Sequence, residues 1–579
     1  MNKILTFALL LGTAVSFSSC NDWLELKPEN SVPADQYWQT ETDVQSAMTG
    51  IYASVRATAV KRFIQSEMMA DATISGLTAN IAAFDQVKEG NIISTNTYSQ
   101  WEDYYSTINK CNMLLEFADK ALAADPSFTV KHCEEYKAQA RVIRAWMYFY
   151  LIRLWKDVPY ITWAYYDDET SRDCAPSSQM DILNALITDL EAVRSEGNLP
   201  LSYSNTSVAA NKGQATVYFL YTLLADLYRM KGAYATDQSQ QTAAYQSCVN
   251  LCNTIIESGQ FALVPVYKYT ADQATNSVDI LADAQTHADS CFYILDQTSV
   301  ENCFTELYVK GNSSESIFEI QAESYEAVSG FWDNFVRGGS PYIMVNNTHL
   351  TDDWFPRSQN DLASYMWYHD VRRTFSYLMN QNICWKIGGT STLSMDYISS
   401  SSQYNKNIIV YRLADVYLMK AEALNQLAWI NGQDLTQLTE AYMAVFKVRE
   451  RACATETTDL GTVTIDYWNQ LNAGETPVFT ANDLDCASME QFILDEEARE
   501  SVWEGKRWFD LLRHAERQNT NVASNINYLT NQAIYCAAEG KYIVVRTNWL
   551  NPEKRYLPYP HQDVQLNELL SQKPSYGVE

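Results

Sequence analysis

The sequence predicts a mostly α-helical chain, in which stacked helix pairs form a scaffold under an irregular, loop-rich layer with short helices and hairpins. Three observations predict it. Several segments carry apolar residues at the 3.6-residue period of an amphipathic helix. These segments come in pairs. Between the pairs lie two long stretches, 58–99 and 264–407, that are neither periodic nor low in complexity. With 579 residues, 47% hydrophobic and 19% charged, the chain can bury a large core and is not disordered as a whole.

The elements follow in order of clarity. In 136–154, Ala140, Ile143, Met147, Tyr150, Leu151 and Leu154 fall on one stripe, with Arg141, Arg144 and Arg153 beside or opposite it. Asp157-Val158-Pro159 ends that helix, because proline lacks the next turn's donor and restricts the residue before it. Segment 214–231 repeats the pattern with Val217, Leu220, Leu224 and Leu227 and stops near Gly232; 411–427 repeats it with Leu413, Val416, Tyr417, Ala421 and Leu424. Second helices follow at 180–194, 243–257 and 438–453, and an earlier pair spans 42–57 and 100–121. Small residues such as Ala225, Ala421 and Ala423 allow close crossings. A lone pair cannot bury its stripe, so neighbours must stack, which points to a tetratricopeptide-like array of about four repeats. The long stretches between are rich in Asn, Ser, Thr, Asp and Gly with scattered aromatics, and loops of such length are usually functional.

Charge excludes whole classes of partner. Lys and Arg total 42 against 70 Asp and Glu, a formal net charge of −28, which disfavours nucleic acid, an anionic membrane surface or a highly sulfated polymer. At the N-terminus, Asn2 and Lys3 precede an apolar run from Ile4 to Val15 that is too short to span a bilayer and reads as a signal peptide. It ends in Phe17-Ser18-Ser19-Cys20, similar to a bacterial lipobox with Phe17 where Leu is usual, which makes Cys20 the lipid-modified first residue and the body a lipid-anchored one. The other cysteines are scattered without a CxxC pair and read as buried thiols; Cys248 and Cys252 lack further zinc ligands nearby, and Cys291 and Cys303 are candidates for a disulfide.

No enzyme signature stands out. The six His form no HExxH, and there is no Gly-rich phosphate loop and no Gly-x-Ser-x-Gly elbow. Glu496 and Glu500, four apart on one helix face, could mimic a glycosidase pair, but Arg499, Lys506, Arg507 and Arg513 surround them and make ion pairing the better reading. The unusual feature is aromatic: 15 Trp, 38 Tyr and 20 Phe. A pyranose presents an apolar C–H face edged by hydroxyls, so flat rings with amides beside them make a sugar site. Each stack is worth roughly 0.5–1.5 kcal/mol by analogy with aromatic pairs. Trp101, Trp146, Trp155, Trp503 and Trp508 lie at helical spacing or within framework segments and are assigned to structure.

Ordered motifs then carry a resemblance. Trp23-Leu24-Glu25-Leu26-Lys27-Pro28 follows Cys20; Tyr37-Trp38-Gln39-Thr40-Glu41-Thr42-Asp43 leads to Gly50-Ile51-Tyr52; Trp101, Tyr105, Ile108 and Asn112 come next. Ala140-Arg141-Val142-Ile143-Arg144-Ala145 runs on to Tyr148 and Trp155-Lys156-Asp157-Val158-Pro159. Later come Arg412-Leu413-Ala414-Asp415-Val416-Tyr417-Leu418 with Ala421-Glu422-Ala423, then Ile493-Leu494-Asp495-Glu496-Glu497-Ala498-Arg499-Glu500 with Glu504-Gly505-Lys506-Arg507-Trp508-Phe509-Asp510-Leu511 and Arg513. Leu557-Pro558-Tyr559-Pro560 and a tail with Gln572, Pro574 and Tyr576 close the order. The chain resembles the RagB/SusD family, the outer-membrane nutrient-binding lipoproteins of the Bacteroidetes. It departs at Glu497 (usually Arg), Tyr559 (usually aliphatic), and Lys573 and Ser575 (usually Asn and Gly).

The resemblance implies a signal peptide over 1–19 and one body over 20–579. That body has an N-terminal region with the first three helix pairs (20–260), a ligand-binding layer (261–410), and a fourth pair with the C-terminal region (411–579). It implies capture of an oligosaccharide, or a peptide in some members, without catalysis, and delivery to a SusC-like TonB-dependent transporter against which the repeats lie. Asp22 and Glu25 resemble a signal for the cell surface. The family's ligand-stacking position points to the Gly-flanked loop Phe331-Trp332-Asp333-Asn334 with Tyr342 and Asn346 downstream. Phe84 and Tyr98 belong to the first long loop, which faces the same surface in the family; Tyr325 and Trp354 complete the set. The charge favours a neutral glycan. No cofactor is predicted, with calcium in an acidic loop left open. An all-helical glycoside hydrolase or lyase and a scaffold that only recruits protein are the rival readings.

Overall fold

The computed structural model describes residues 37–75, 82–166, 173–203, 212–265, 267–271, 291–295, 297–322, 329–337, 340–346, 370–376, 383–392, 394, 396–452, 485–518, 522–534 and 541–577. The scaffold helices are α1 (Glu41–Ala57), α2 (Glu102–Ala124), α3 (Val130–Leu154), α4 (Gln179–Glu196), α5 (Val217–Tyr234), α6 (Gln238–Glu257), α7 (Leu413–Ile430) and α8 (Leu435–Ala452). Each packs on the next in chain order, and α6 lies against α7 although 155 residues separate them. This is the stacked array that the paired stripes predict. Helix α9 (Cys486–Ser501) covers α7 and α8 at the far end, and α10 (Arg507–Glu516) packs on α5 and α9.

Local signals set the helix ends. Thr40 and Asp43 form a reciprocal capping box at α1, in which the Asp43 N–H donates to Thr40 and the Thr40 N–H to the Asp43 carboxylate at 2.8 Å. Thr129, Ser178, Asp237 and Asp485 cap α3, α4, α6 and α9 through side-chain oxygens. Helix α5 ends at Tyr234, close to the expected stop near Gly232, and Gly232 itself lies inside it under the Tyr245 ring of α6. A Cβ there would stand 2.7 Å from that ring, so glycine serves close helix contact rather than termination.

The second layer is short and strand-paired. β1 (Thr73–Ser75) runs antiparallel to β7 (Ile343–Val345), β2 (Val158–Pro159) to β3 (Pro176–Ser177), β4 (Tyr267–Ala271) to β5 (Cys291–Leu295), and β6 (Ser316–Ile320) to β8 (Ile408–Arg412). Phe318 of β6 stacks on Phe219 of α5 with ring centroids 4.1 Å apart, which fixes this layer to the scaffold.

The C-terminal departures from the family pattern have local causes. The Tyr559 hydroxyl donates to the Asp157 carbonyl at 2.8 Å, and the Lys573 ammonium donates to the Leu557 carbonyl at 2.6 Å with the Tyr559 ring beneath it. Trp101, Trp146, Trp155, Trp503 and Trp508 are all buried. The disulfide expected between Cys291 and Cys303 is overturned: Cys303 is a buried free thiol directed at the Val264 carbonyl, and Cys248 and Cys252 are buried free thiols as well.

Candidate functional site

The segment singled out as a Gly-flanked loop is a short helix, Ser329–Phe335. Its anchor is Phe331 and Phe335, four apart and hence on one face. Phe331 meets Phe63 edge-on at 5.0 Å and stacks on Tyr404 at 6.0 Å; Phe335 meets Phe63 and Trp503. Phe331 is only 1% exposed, so its assignment as a ligand ring is corrected: it is core. Consecutive helical residues point about 100° apart, which turns Trp332 away from that face. Trp332 is half-buried against the core, its indole N–H donates to the Ile398 carbonyl at 2.9 Å, and Asp333 beside it is exposed. The ring is therefore held in one orientation with part of its surface open.

Tyr342 is half-buried, and the Arg337 guanidinium lies 4.2 Å from its ring centroid. Tyr342 also packs against the core, so its ring is held between that core and the cation. The Asn334 amide donates to the Gly330 carbonyl at 2.7 Å, which leaves its oxygen as an acceptor. Arg337 was missed in the sequence; its only signal is its place before Gly338-Gly339, and Arg337 itself takes φ +36°.

The first long stretch does reach this region. β1 pairs with β7 in the register Thr73↔Val345, Ile74↔Met344 and Ser75↔Ile343. Asn346 is buried, its backbone N–H donating to the Ala72 carbonyl and its amide to that of Asp71, so it clamps the two segments rather than facing a ligand. Phe84 is likewise corrected: at 2% exposure, on the helix Ala82–Lys88, it belongs to the core. Tyr98 is half-buried on the Asn96-capped turn Thr97–Ser99, and burial raises its phenol pKa. Tyr325 and Trp354 lie outside the described residues.

The acidic helix resolves as structure. Glu496 takes ion pairs from Arg372 (2.6 Å), Arg449 (3.1 Å) and Arg499 (3.2 Å). Glu500 is held by Arg372, Arg412 and Arg451. Both carboxylates are buried, and the arginines hold both below the ordinary carboxylate range against the cost of burial. Of the cations expected around this pair, only Arg499 contacts it. Lys506 pairs with Asp415 and Glu504, Arg507 with Asp71, and Arg513 with Glu422. Glu497, the departure on this helix, sits between Arg229 (3.1 Å) and Arg513 (3.5 Å), and burial, helped by repulsion from Asp510 and Glu422, holds its pKa well above the usual range.

Comparison with known proteins agrees with this architecture. A family model described as the SusD family matches residues 363–576, and one described as starch-binding associating with outer membrane matches residues 22–219. SusD-like protein P38 of Formosa agariphila is 25% identical over 566 residues, 92% of this chain and 95% of its own. A SusD-like protein of Bacteroides ovatus is 21% identical, covering 99% of this chain and 98% of its own. Among solved structures, a SusD superfamily protein from Bacteroides vulgatus superposes with a TM-score of 0.64 at 16% identity, over 93% of this chain and 99% of that one. Surface glycan-binding protein A from Bacteroides thetaiotaomicron, in complex with laminarihexaose, superposes with a TM-score of 0.59 at 18% identity, over 92% and 99%. Among the described residues, no helix is long and apolar enough to cross a membrane.

Proposed function

Because this chain belongs to the SusD/RagB family, we propose that it captures an oligosaccharide without altering it and hands it to a SusC-like TonB-dependent transporter in the outer membrane. Its place would be the cell surface, anchored through a lipid on Cys20. The observation that carries the reading is Trp332: a large ring locked by its own hydrogen bond to Ile398, half open, on a helix whose other face is core. Fixing the ring in advance removes an ordering cost that a mobile side chain would meet on binding. Tyr342 and the free oxygen of Asn334 add a second ring and a hydrogen-bond acceptor.

Burial and full ion pairing of Glu496 and Glu500 support a non-catalytic role, since a glycosidase pair must flank its substrate. A charge of −28 favours a neutral glycan. Two stacks and a few hydrogen bonds, less ordering costs, give roughly millimolar to micromolar affinity, which suits capture followed by release. Calorimetry against a panel of neutral oligosaccharides tests the reading. Trp332→Ala is expected to weaken binding about ten-fold or more, whereas Trp332→Phe keeps a stacking face and retains most of the affinity. Because the ring is half-buried, Trp332→Ala also lowers the melting temperature modestly. Binding confined to polyanionic glycans or peptides, or an unchanged affinity in Trp332→Ala, overturns it.

A further inference from the structure

A hollow lined in part by the rings of Trp101, Tyr105 and Tyr165 lies elsewhere on the molecule. It has a volume of about 470 Å3 and is enclosed by the first turns of α2, the segment 159–165 and the C-terminal stretch 562–570. No residue of 329–346 lines it. Its size falls in the range of about 300–1,000 Å3 typical of small-molecule sites.

The loop on one side is pinned along its whole length. The Tyr105 hydroxyl donates to the Pro159 carbonyl at 2.8 Å, and the Tyr148 hydroxyl both donates to the Ile161 carbonyl and accepts from the Ile161 N–H. The Asn112 amide donates to the Trp163 carbonyl at 2.8 Å, with Arg144 donating to its oxygen at 3.0 Å. Asn109 holds Tyr165 at both ends, donating to its carbonyl at 2.9 Å and accepting from its N–H at 2.7 Å. This rigid loop nonetheless holds large rings out to solvent: Trp163 is 40% exposed and Tyr166 is 48% exposed. Trp163 leans edge-on against Tyr165, and Tyr166 edge-on against Phe117, so each ring is braced by one neighbour.

We propose that this hollow and the exposed rings of its loop form a second saccharide site, in which Trp163, whose ring meets the lining Tyr165, and the nearby Tyr166 stack on pyranose rings while Asn109, Gln562 and Asp563 border the bound chain. The chemistry selects the class of ligand. A loop whose backbone is pinned by the Asn109 and Asn112 amides and the Tyr148 hydroxyl is ordered before any ligand arrives, which is what weak stacking on a sugar face needs. The lining contains carboxylates at Glu102 and Asp563 but no Lys, Arg or His, so anionic saccharides are repelled and neutral ones are not. The exposed Leu566 offers further apolar surface for C–H groups. With the Trp332 surface as the first contact, a second site on another element would let one protein hold a long glycan at two points, raising its effective affinity.

Hydrogen exchange of the full mature chain, with and without neutral hexasaccharides of glucose, xylose, mannose and galactose, tests this without altering the protein. The expected result is protection of 159–166, read separately from protection of 329–346, so failure here and failure at Trp332 are distinguishable. If no hexasaccharide protects 159–166, the proposal is wrong. The paired variant Trp163→Ala, Tyr166→Ala removes two exposed rings and is expected to abolish protection at 159–166 and to weaken that site about ten-fold, with 329–346 unchanged. Affinity within two-fold of the parent, or loss only of a co-purifying membrane protein, assigns the face to another role and overturns the proposal.

Discussion

Arg412 lies at the centre of the buried charge cluster, and removing its charge is the sharpest test of how this molecule is held together. Its guanidinium is fully buried and donates to Glu315 at 2.7 Å, Glu500 at 2.5 Å, both oxygens of Glu504 at 2.9 Å, and the Glu500 carbonyl at 2.8 Å. These partners come from the residue before β6, from α9 and from the turn after α9, so one side chain of β8 joins the strand layer to the helical cap. Each carboxylate keeps another cation after the loss: Arg451 for Glu315, Arg372 and Arg451 for Glu500, and Lys386 and Lys506 for Glu504. Arg412→Met nevertheless takes one positive charge and its hydrogen bonds out of a buried network, and breaking a buried pair typically costs about 3–5 kcal/mol. The retained partners place the cost near the lower end, about 3 kcal/mol, or roughly 2–3 °C in melting temperature for a chain of this length. Thermal unfolding of wild type, Arg412→Met, Glu504→Gln and the double variant closes the cycle. Neutralising Glu504 as well is expected to restore at least half of the loss, because the penalty is the uncompensated charge. Arg412→Lys recovers only part, since one ammonium cannot span three carboxylates. A melting temperature for Arg412→Met within about 0.5 °C of wild type, or no rescue in the double variant, refutes the reasoning.

Two further predictions concern pH. Glu497 keeps its proton in the folded state above the usual carboxylate range, so folding takes up a proton and its contribution to stability falls as pH rises from about 4.5. Glu497→Gln mimics the protonated form, and its melting temperature is expected to match wild type near pH 4.5 and to exceed it increasingly toward pH 7.5; a uniform loss at all pH values would make Glu497 an ionised partner of Arg229 and Arg513. Lys406 is buried, donates to the Lys386 and Gly389 carbonyls, and has its pKa pulled down to about 7 by desolvation. The unfolded chain then binds more protons between pH 7 and about 10.5, so this contribution rises with pH by up to about 1.4 kcal/mol per unit. The stability advantage of Lys406→Met should therefore be greatest near pH 7 and shrink by pH 9.5, and a constant difference across that range counts against it.

What the sequence could show was whatever depends on neighbours along the chain. Apolar stripes marked the scaffold helices to within six residues, because that signal repeats within one or two turns. The acidic segment on α9 was legible as ion pairing, yet most of its partners were not: Arg372, Arg412, Arg449 and Arg451 arrive from segments 47 to 128 residues away. Phe331 and Trp332 are adjacent and equally aromatic, so composition could not say which would be core. The anchoring of the short helix by Phe331 and Phe335 against Phe63 decided it. The rings at Trp163 and Tyr166 stood in plain view after Pro159. What makes them a rigid surface is Asn109, Asn112 and Tyr148, polar side chains of two scaffold helices reaching the backbone of a third segment. Periodicity and capping are local and can be read from order alone; burial, charge pairing and the aim of a ring are set by what the fold brings alongside, and only the packed chain determines that.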